Sequence, residues 1–267
     1  MDVQFITKKS AIALSPPNEQ GRENLLVLET GLGFAEKIES GKILENVTNA
    51  VTHISHWHED HYYDAAEFAR LCERNKTAAF FLAPPNEYDA DVLFRNLKDL
   101  GVRSPEFIKR QEAERFLDLR SINFEKLRHG IDMYSWALTL EDNVNAKRNL
   151  VKHIPDNNDV KKARGLFEND QKRLKLCLFD ATDRPQHDTN HLSLDSVLSF
   201  NIPNKIRPRH VVWHYPLKGK KKFEATVKKH GFDIYKNYLH ESVVHEAHWK
   251  HAMKEIENYE QEALAYA

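Results

Sequence analysis

Short apolar runs alternate with polar punctuation along this chain, and their period predicts its elements. Val3–Ile6, Ala11–Leu14 and Leu25–Glu29 read as strands separated by turn formers such as Pro16-Pro17-Asn18. Ala50–Ser55 is a further strand-like stretch. At Asp64–Asn75 the period changes: Ala65, Phe68, Leu71 and Cys72 share one helical face, with Asp64 near the start. Ala78–Leu82 is a continuous apolar strand that stops at Pro84-Pro85, and Glu87–Leu100 and Pro105–Leu117 are helices rich in paired opposite charges. Strand character returns at Ile131–Leu140 and Asn149–Ile154, and Asp156–Gln171 is a polar loop or excursion. Leu174–Phe179 is a buried-strand run, Leu192–Phe200 a short helix and His210–Trp213 another strand. From about Phe223 the pattern is helical, with a long last segment from Tyr238.

A chain of 267 residues can bury a substantial core as one large domain or two small ones. No repeat, low-complexity tract or Pro/Ser/Gly-rich linker divides it. The expectation is one domain over residues 1–267 with a helical C-terminal extension from about residue 237. A formal net charge of −1 gives no global electrostatic case for nucleic acid or a membrane surface. Met1–Pro17 is broken by Lys8 and Lys9, so it reads as neither signal peptide nor span, and no later apolar run approaches the ~20 residues a bilayer requires. Cys72 and Cys177 read as buried apolar residues rather than a disulfide, which points to a cytoplasmic protein. With nine glycines and neither G-x-G-x-x-G nor a P-loop, nucleotide-cradling loops have little material.

The run His56-Trp57-His58-Glu59-Asp60-His61, an H-x-H-x-D-H pattern, changes this picture most. Four metal-competent side chains fall within six residues, directly after an apolar strand. Neutral imidazole and carboxylate are the ligands that borderline divalent ions such as zinc prefer. In an extended segment alternate residues point the same way, so His56 and His58 can reach one ion. Asp60 and His61 then turn toward a second position nearby.

The pattern resembles the signature of metallo-β-lactamase-fold hydrolases. That resemblance implies an α+β fold, a four-layer αββα sandwich, with two divalent ions at the edge of its sheets. It also implies three further ligands in chain order: a His, a bridging Asp and a last His, each near a strand end. His153, closing Asn149–Ile154, fits the first, with His129 the weaker competitor because it lies outside any clear strand. Asp183 in Thr182-Asp183-Arg184-Pro185 fits the second better than Asp180, because a small residue precedes it and a Pro follows. His214 in His210-Val211-Val212-Trp213-His214 fits the last, with His210 at the wrong end of the strand. The resemblance covers roughly Val51–Pro216. The chain departs from the family at Leu28-Glu29-Thr30-Gly31, which has no Asp where an Asp-x-Gly turn often lies beneath the metals. It departs again at Tyr62-Tyr63-Asp64, where a Gly pair is usual, and so looks closer to the ribonuclease Z and phosphodiesterase branch.

On this resemblance His56, His58 and His153 hold one ion, Asp60, His61 and His214 hold the other, and Asp183 bridges them. Zinc is expected from the ligand types, with manganese or iron as alternatives. Two dications acidify a water or hydroxide between them and stabilise charge on a phosphoryl or carbonyl oxygen, so the expected reaction is hydrolysis. Besides Asp60, His191 is a candidate catalytic residue, since it or His187 could protonate a leaving group. Both histidines could equally be solvated beside a helix cap. Lys218, Lys220, Lys221, Lys222, Lys228 and Lys229 form a basic cluster past His214 that reads either as a solvated helix start and face or as a patch attracting phosphate; with the missing Gly pair it is the ground for expecting a phosphodiester such as RNA, DNA or a cyclic nucleotide. The alternatives are a lactone, ester or thioester substrate, or a non-catalytic metal-binding scaffold. The last helix, with Trp249, Met253 and Ile256 in one stripe and His240, His245, His248 and His251 beside it, reads as packing on the sandwich or on a second subunit of a homodimer.

Overall fold

The computed structural model describes residues 2–7, 9–130, 133–142, 149–186, 191–214 and 220–234. The first half of the chain builds β1 (Asp2–Thr7), β2 (Ser10–Leu14), β3 (Glu23–Leu28), α1 (Phe34–Ser40), β4 (Val47–His53), α2 (Glu59–Tyr62), α3 (Ala65–Arg74), β5 (Ala78–Leu82), α4 (Glu87–Asp99), β6 (Phe107–Ile108) and α5 (Arg110–Phe116). The second half builds β7 (Leu119–His129), β8 (Met133–Asp142), β9 (Leu150–Ile154), α6 (Val160–Glu168), β10 (Leu174–Asp180), α7 (Leu194–Leu198), a 3-10 turn at Asn204–Arg209, β11 (His210–His214), α8 (Lys220–Lys229) and β12 (Asp233–Ile234).

Each half forms a six-stranded sheet whose strands lie side by side in chain order. β1, β2 and β3 pair antiparallel, and β3 to β6 continue in parallel. β7, β8 and β9 likewise pair antiparallel, and β9 to β12 continue in parallel. The two halves therefore repeat one topology that no sequence repeat announces.

Period-two alternation assigns the faces of the first sheet. Ala11, Ala13, Leu26, Leu28 and Val51 join a core shared with Leu127, Leu138, Val151 and Leu178 of the second sheet. Their neighbours Ile12, Leu25, Val27 and Ala50 face outward and are covered by Phe34 and Ile38 of α1 and Phe68, Leu71 and Cys72 of α3. On the second sheet, Ala163 and Phe167 of α6 and Phe223 and Val227 of α8 join the same core as Cys177, Phe179 and Val212. Helix, sheet, sheet and helix stack in four layers, as the resemblance implied.

Several elements differ from the sequence expectation. Pro105–Leu117 is a two-residue strand followed by α5, rather than one helix. The polar excursion after Asp156 contains α6, which Asp159 caps by accepting the Lys162 N–H at 3.1 Å. β7 escaped the apolar pattern because it is an edge strand with Arg120, Glu125, Lys126 and Arg128 interspersed, and only Leu119, Ile122, Leu127 and His129 are buried. β12 follows α8 where helix was expected to continue. The helix expected from Tyr238, together with His187 and Lys218, lies outside the described residues. Among the described residues no helix is long and apolar enough to cross a membrane.

His210 is a packing residue at the start of β11. Its ring stacks on Phe167 with centroids 5.6 Å apart and 9° between planes, and its Nδ1 lies 3.1 Å from the Ile206 carbonyl oxygen. Burial pushes its pKa from 6.5 down to about 4. The neutral form is the folded form, so its contribution is complete above pH 6.5 and is lost as pH falls toward 4. Thermal melts of wild type and His210→Phe across that window should show the variant with the flatter decline, by about 1–3 kcal/mol of pH-dependent stability. Identical slopes would contradict the assignment.

Candidate metal centre

The site forms where strand ends from both sheets meet. β4 ends at His53, and the chain runs extended through Ile54 and Ser55 to His56 and His58. His58 keeps extended backbone angles, φ −75° and ψ 134°, before the single turn of α2 carries Asp60 and His61. His56 and His58 therefore face the same way, and His56 Nε2 lies 3.1 Å from His58 Nδ1. From the second sheet, His129 closes β7 and places its Nε2 3.2 Å from the same His58 Nδ1. Asp156 follows β9 at the end of a short Pro155 turn and is buried.

Two groups of donors result. His56, His58, His129 and Asp156 offer ligand atoms within 4.8 Å of one another, as do Asp156, Asp180 and His191. Asp156 belongs to both. A tetrahedral ion with bonds to nitrogen of about 2.0–2.1 Å sets its ligand nitrogens roughly 3.3 Å apart, close to the spacing seen here. The imidazoles are also in the right protonation state. Burial, reinforced by His129 and His61, drives His58 down to about 3, and burial with the same neighbours takes His56 well below its usual value. Neutral rings keep lone pairs for a cation, so these residues fit divalent ions.

A carboxylate lies beneath the donors. Glu29, one residue past β3, is fully buried and accepts the Ser55 N–H at 3.2 Å on either oxygen. Its Oε1 is 3.5 Å from His61 Nδ1 and 3.8 Å from His153 Nε2. Burial alone would raise the Glu29 carboxyl, but His61, His153 and His53 together hold it below the usual carboxylate value. Burial disfavours charge on His61 too, yet Asp156 and Glu29 on its two sides raise it to about 9. Glu29 adopts a left-handed φ of 61°, a conformation costing on the order of 1–2 kcal/mol for a residue with a side chain. Backbone bonds enforce it: Glu29 N–H donates to the His53 carbonyl oxygen at 2.9 Å and Thr30 N–H to that of His61 at 2.8 Å. Gly31 completes the turn, where a Cβ would lie 2.7 Å from the Asp60 carbonyl oxygen. The turn that looked incomplete for want of an Asp thus carries its carboxylate on one more methylene.

The expected site residues fall in different places. His56 and His58 share the first group, and His191 stands in the second. His61 approaches Asp156, with Nε2 3.3 Å from Oδ2. Asp60 pairs with Lys9 instead of joining either group. His153 was expected as the third histidine, but it is buried on β9 against Glu29 and edge-on to Trp213, with ring centroids 4.7 Å apart. Its place among the donors is taken by His129 and Asp156. Asp183, expected to bridge, is exposed in the bend after β10, whereas Asp180 is buried as the last residue of that strand. Asp180 Oδ2 lies 2.9 Å from His191 Nδ1, and burial with the Asp156 charge raises its carboxyl pKa. The same pair of aspartates outweighs burial at His191 and raises its imidazole. His214 ends β11 in register with Asp180, and its side chain lies outside the described residues.

No family model matches the chain, and no curated protein sequence does. Solved structures resemble it. Unliganded yeast PDE1 is similar at a TM-score of 0.61 and 12% identity, covering 87% of this chain and 95% of that one. The metallo-β-lactamase fold protein YhfI from Bacillus subtilis gives 0.54 and 14%, with 87% and 93% covered. A diphosphatase from the PhnP family gives 0.55 and 14%, with 84% and 80% covered. The chain has the metallo-β-lactamase fold.

Removing the buried aspartate should cost metal, and removing the exposed one should not. Metal content of purified Asp180→Ala should fall well below wild type, while Asp183→Ala retains the wild-type amount. The reverse order would return the ligand to Asp183.

Proposed function

We propose that this chain is a dinuclear metal-dependent hydrolase acting on a phosphodiester. The observation that carries the reading is the pair of donor groups sharing Asp156, which suits two neighbouring cations held by one carboxylate. His56, His58 and His129 would hold the first ion, Asp180 and His191 the second, with Asp156 between them. His61, against Asp156, and His214, in register with Asp180, complete the candidate set. Zinc suits this mixture of imidazole and carboxylate. Bound there, divalent ions supply acidified water and neutralise charge on a phosphoryl oxygen.

The chain's own residues do the remaining work. Glu29 fixes the His61 ring from beneath, as outer carboxylates do for metal-ligating imidazoles. His191 keeps about a third of its side chain exposed, and Asp180 orients its ring at the second position. Asp60 stands at the rim with one oxygen held by Lys9. A phosphodiester is preferred over a carboxylic ester because Lys221, Lys222, Lys228 and Lys229 line α8, the helix that follows β11. One of the similar structures is itself a diphosphatase.

Zinc- or manganese-loaded protein should hydrolyse bis-p-nitrophenyl phosphate or a cyclic nucleotide, lose that activity with chelator and regain it with metal. His129→Ala should lower kcat/KM by at least about 100-fold, since outer contacts alone are worth 10–100-fold at metal sites. Cleavage of lactones, esters or thioesters alone would move the substrate class. Full metal content with no turnover on either panel would make the chain a metal-binding scaffold.

A further inference from the structure

Lys9 lies in the turn between β1 and β2, 47 residues before His56, yet it reaches the site. Its ammonium pairs with Asp60 Oδ2, and its side chain is only 17% exposed. The hairpin is tied down around it. Lys9 N–H donates to Thr7 Oγ1 at 3.3 Å, and the Gly31 N–H donates to Ser10 Oγ at 2.9 Å. The Lys9 stem passes over Gly31, where an added Cβ would lie 3.1 Å from the Lys9 Cβ. The absence of a side chain at Gly31 thus makes room for this lysine beside the donors. Its charge is close enough to act on His58, Asp180 and His191.

We propose that Lys9 is an anion-binding residue of the site, which selects a negatively charged substrate such as a phosphodiester over a neutral ester. The inference rests on the metal-dependent reading above. Charge balance supports it. Glu29, Asp60, Asp156 and Asp180 bring four carboxylates to the centre, which two divalent ions would cancel. The imidazoles are neutral when they serve as ligands. Lys9 then leaves one net positive charge at the rim, matching the single negative charge of a phosphodiester. Without it, the four carboxylates and two divalent ions leave no net positive charge at the rim for the anion. Asp60 holds the ammonium in place and keeps its long side chain from swinging into solvent.

The test compares wild type, Lys9→Met and Lys9→Arg after zinc loading, with zinc content and thermal melts checked for each. Inorganic phosphate affinity is measured by calorimetry, and KM is measured for bis-p-nitrophenyl phosphate and for p-nitrophenyl acetate. Lys9→Met should keep its zinc and weaken phosphate about tenfold, the scale of one close charge interaction in a partly solvated site. It should raise KM for the diester by a similar factor and move KM for the acetate less than twofold, and Lys9→Arg should recover most of the loss. Unchanged phosphate affinity in Lys9→Met would overturn the proposal. So would a change in zinc content with both substrates affected alike, which would make Lys9 a prop of the metal site. If wild type hydrolyses neither substrate the hydrolase reading fails, and phosphate affinity still decides the role of Lys9.

Discussion

Glu29 has no exposed surface, yet it must carry charge where the two sheets meet. An isolated carboxylate in such a place costs several kcal/mol, so everything around it is arranged to repay that cost. The Ser55 N–H and the His61 ring contact it from the motif loop, and His153 faces it from the opposite sheet. The same contacts fix the loop that displays His56 and His58. The left-handed backbone of Glu29 is the local cost of placing the carboxylate there. The His56–His61 segment is therefore held from below, as outer carboxylates orient imidazoles at metal sites.

The repeated topology explains why donors from distant parts of the chain converge. In each half a pair of antiparallel pairings leads into parallel strands, and the parallel strands end at one edge. Sites in open sheets lie outside the carboxyl ends of such strands. Here β3 and β4 from one sheet and β9 and β10 from the other bring Glu29, the His56–His61 segment, Asp156 and Asp180 to that edge in turn. The edge strand β7 adds His129 from the flank.

What could be read from the sequence follows from how local each signal is. The alternation of His56 and His58 needs only extended backbone, so one short segment reveals it. β2 to β4 were readable as apolar runs, but their faces were not, since residues on both sides of these strands are buried. His153 could not be placed by its pattern, because all of β9 is buried, and a strand buried on both faces gives no period to say which side reaches the site. His129 was hard to place because its strand is an edge, half polar and hard to tell from a loop. Asp183 matched the surrounding residue types, but Asp180 is the strand's last inward residue, and only the sheet register distinguishes them. Lys9 carries no motif at all, and its place in the site exists only once the β1–β2 hairpin has folded against Gly31.

On the proposed function one carboxylate, Asp156, joins two metal positions. A zinc titration of metal-free protein, followed calorimetrically for wild type and Asp156→Asn, tests it most directly. The account predicts two equivalents bound by wild type, with affinity at both positions reduced in the variant because the shared ligand is lost. Loss at a single position, with the other unchanged, would contradict it.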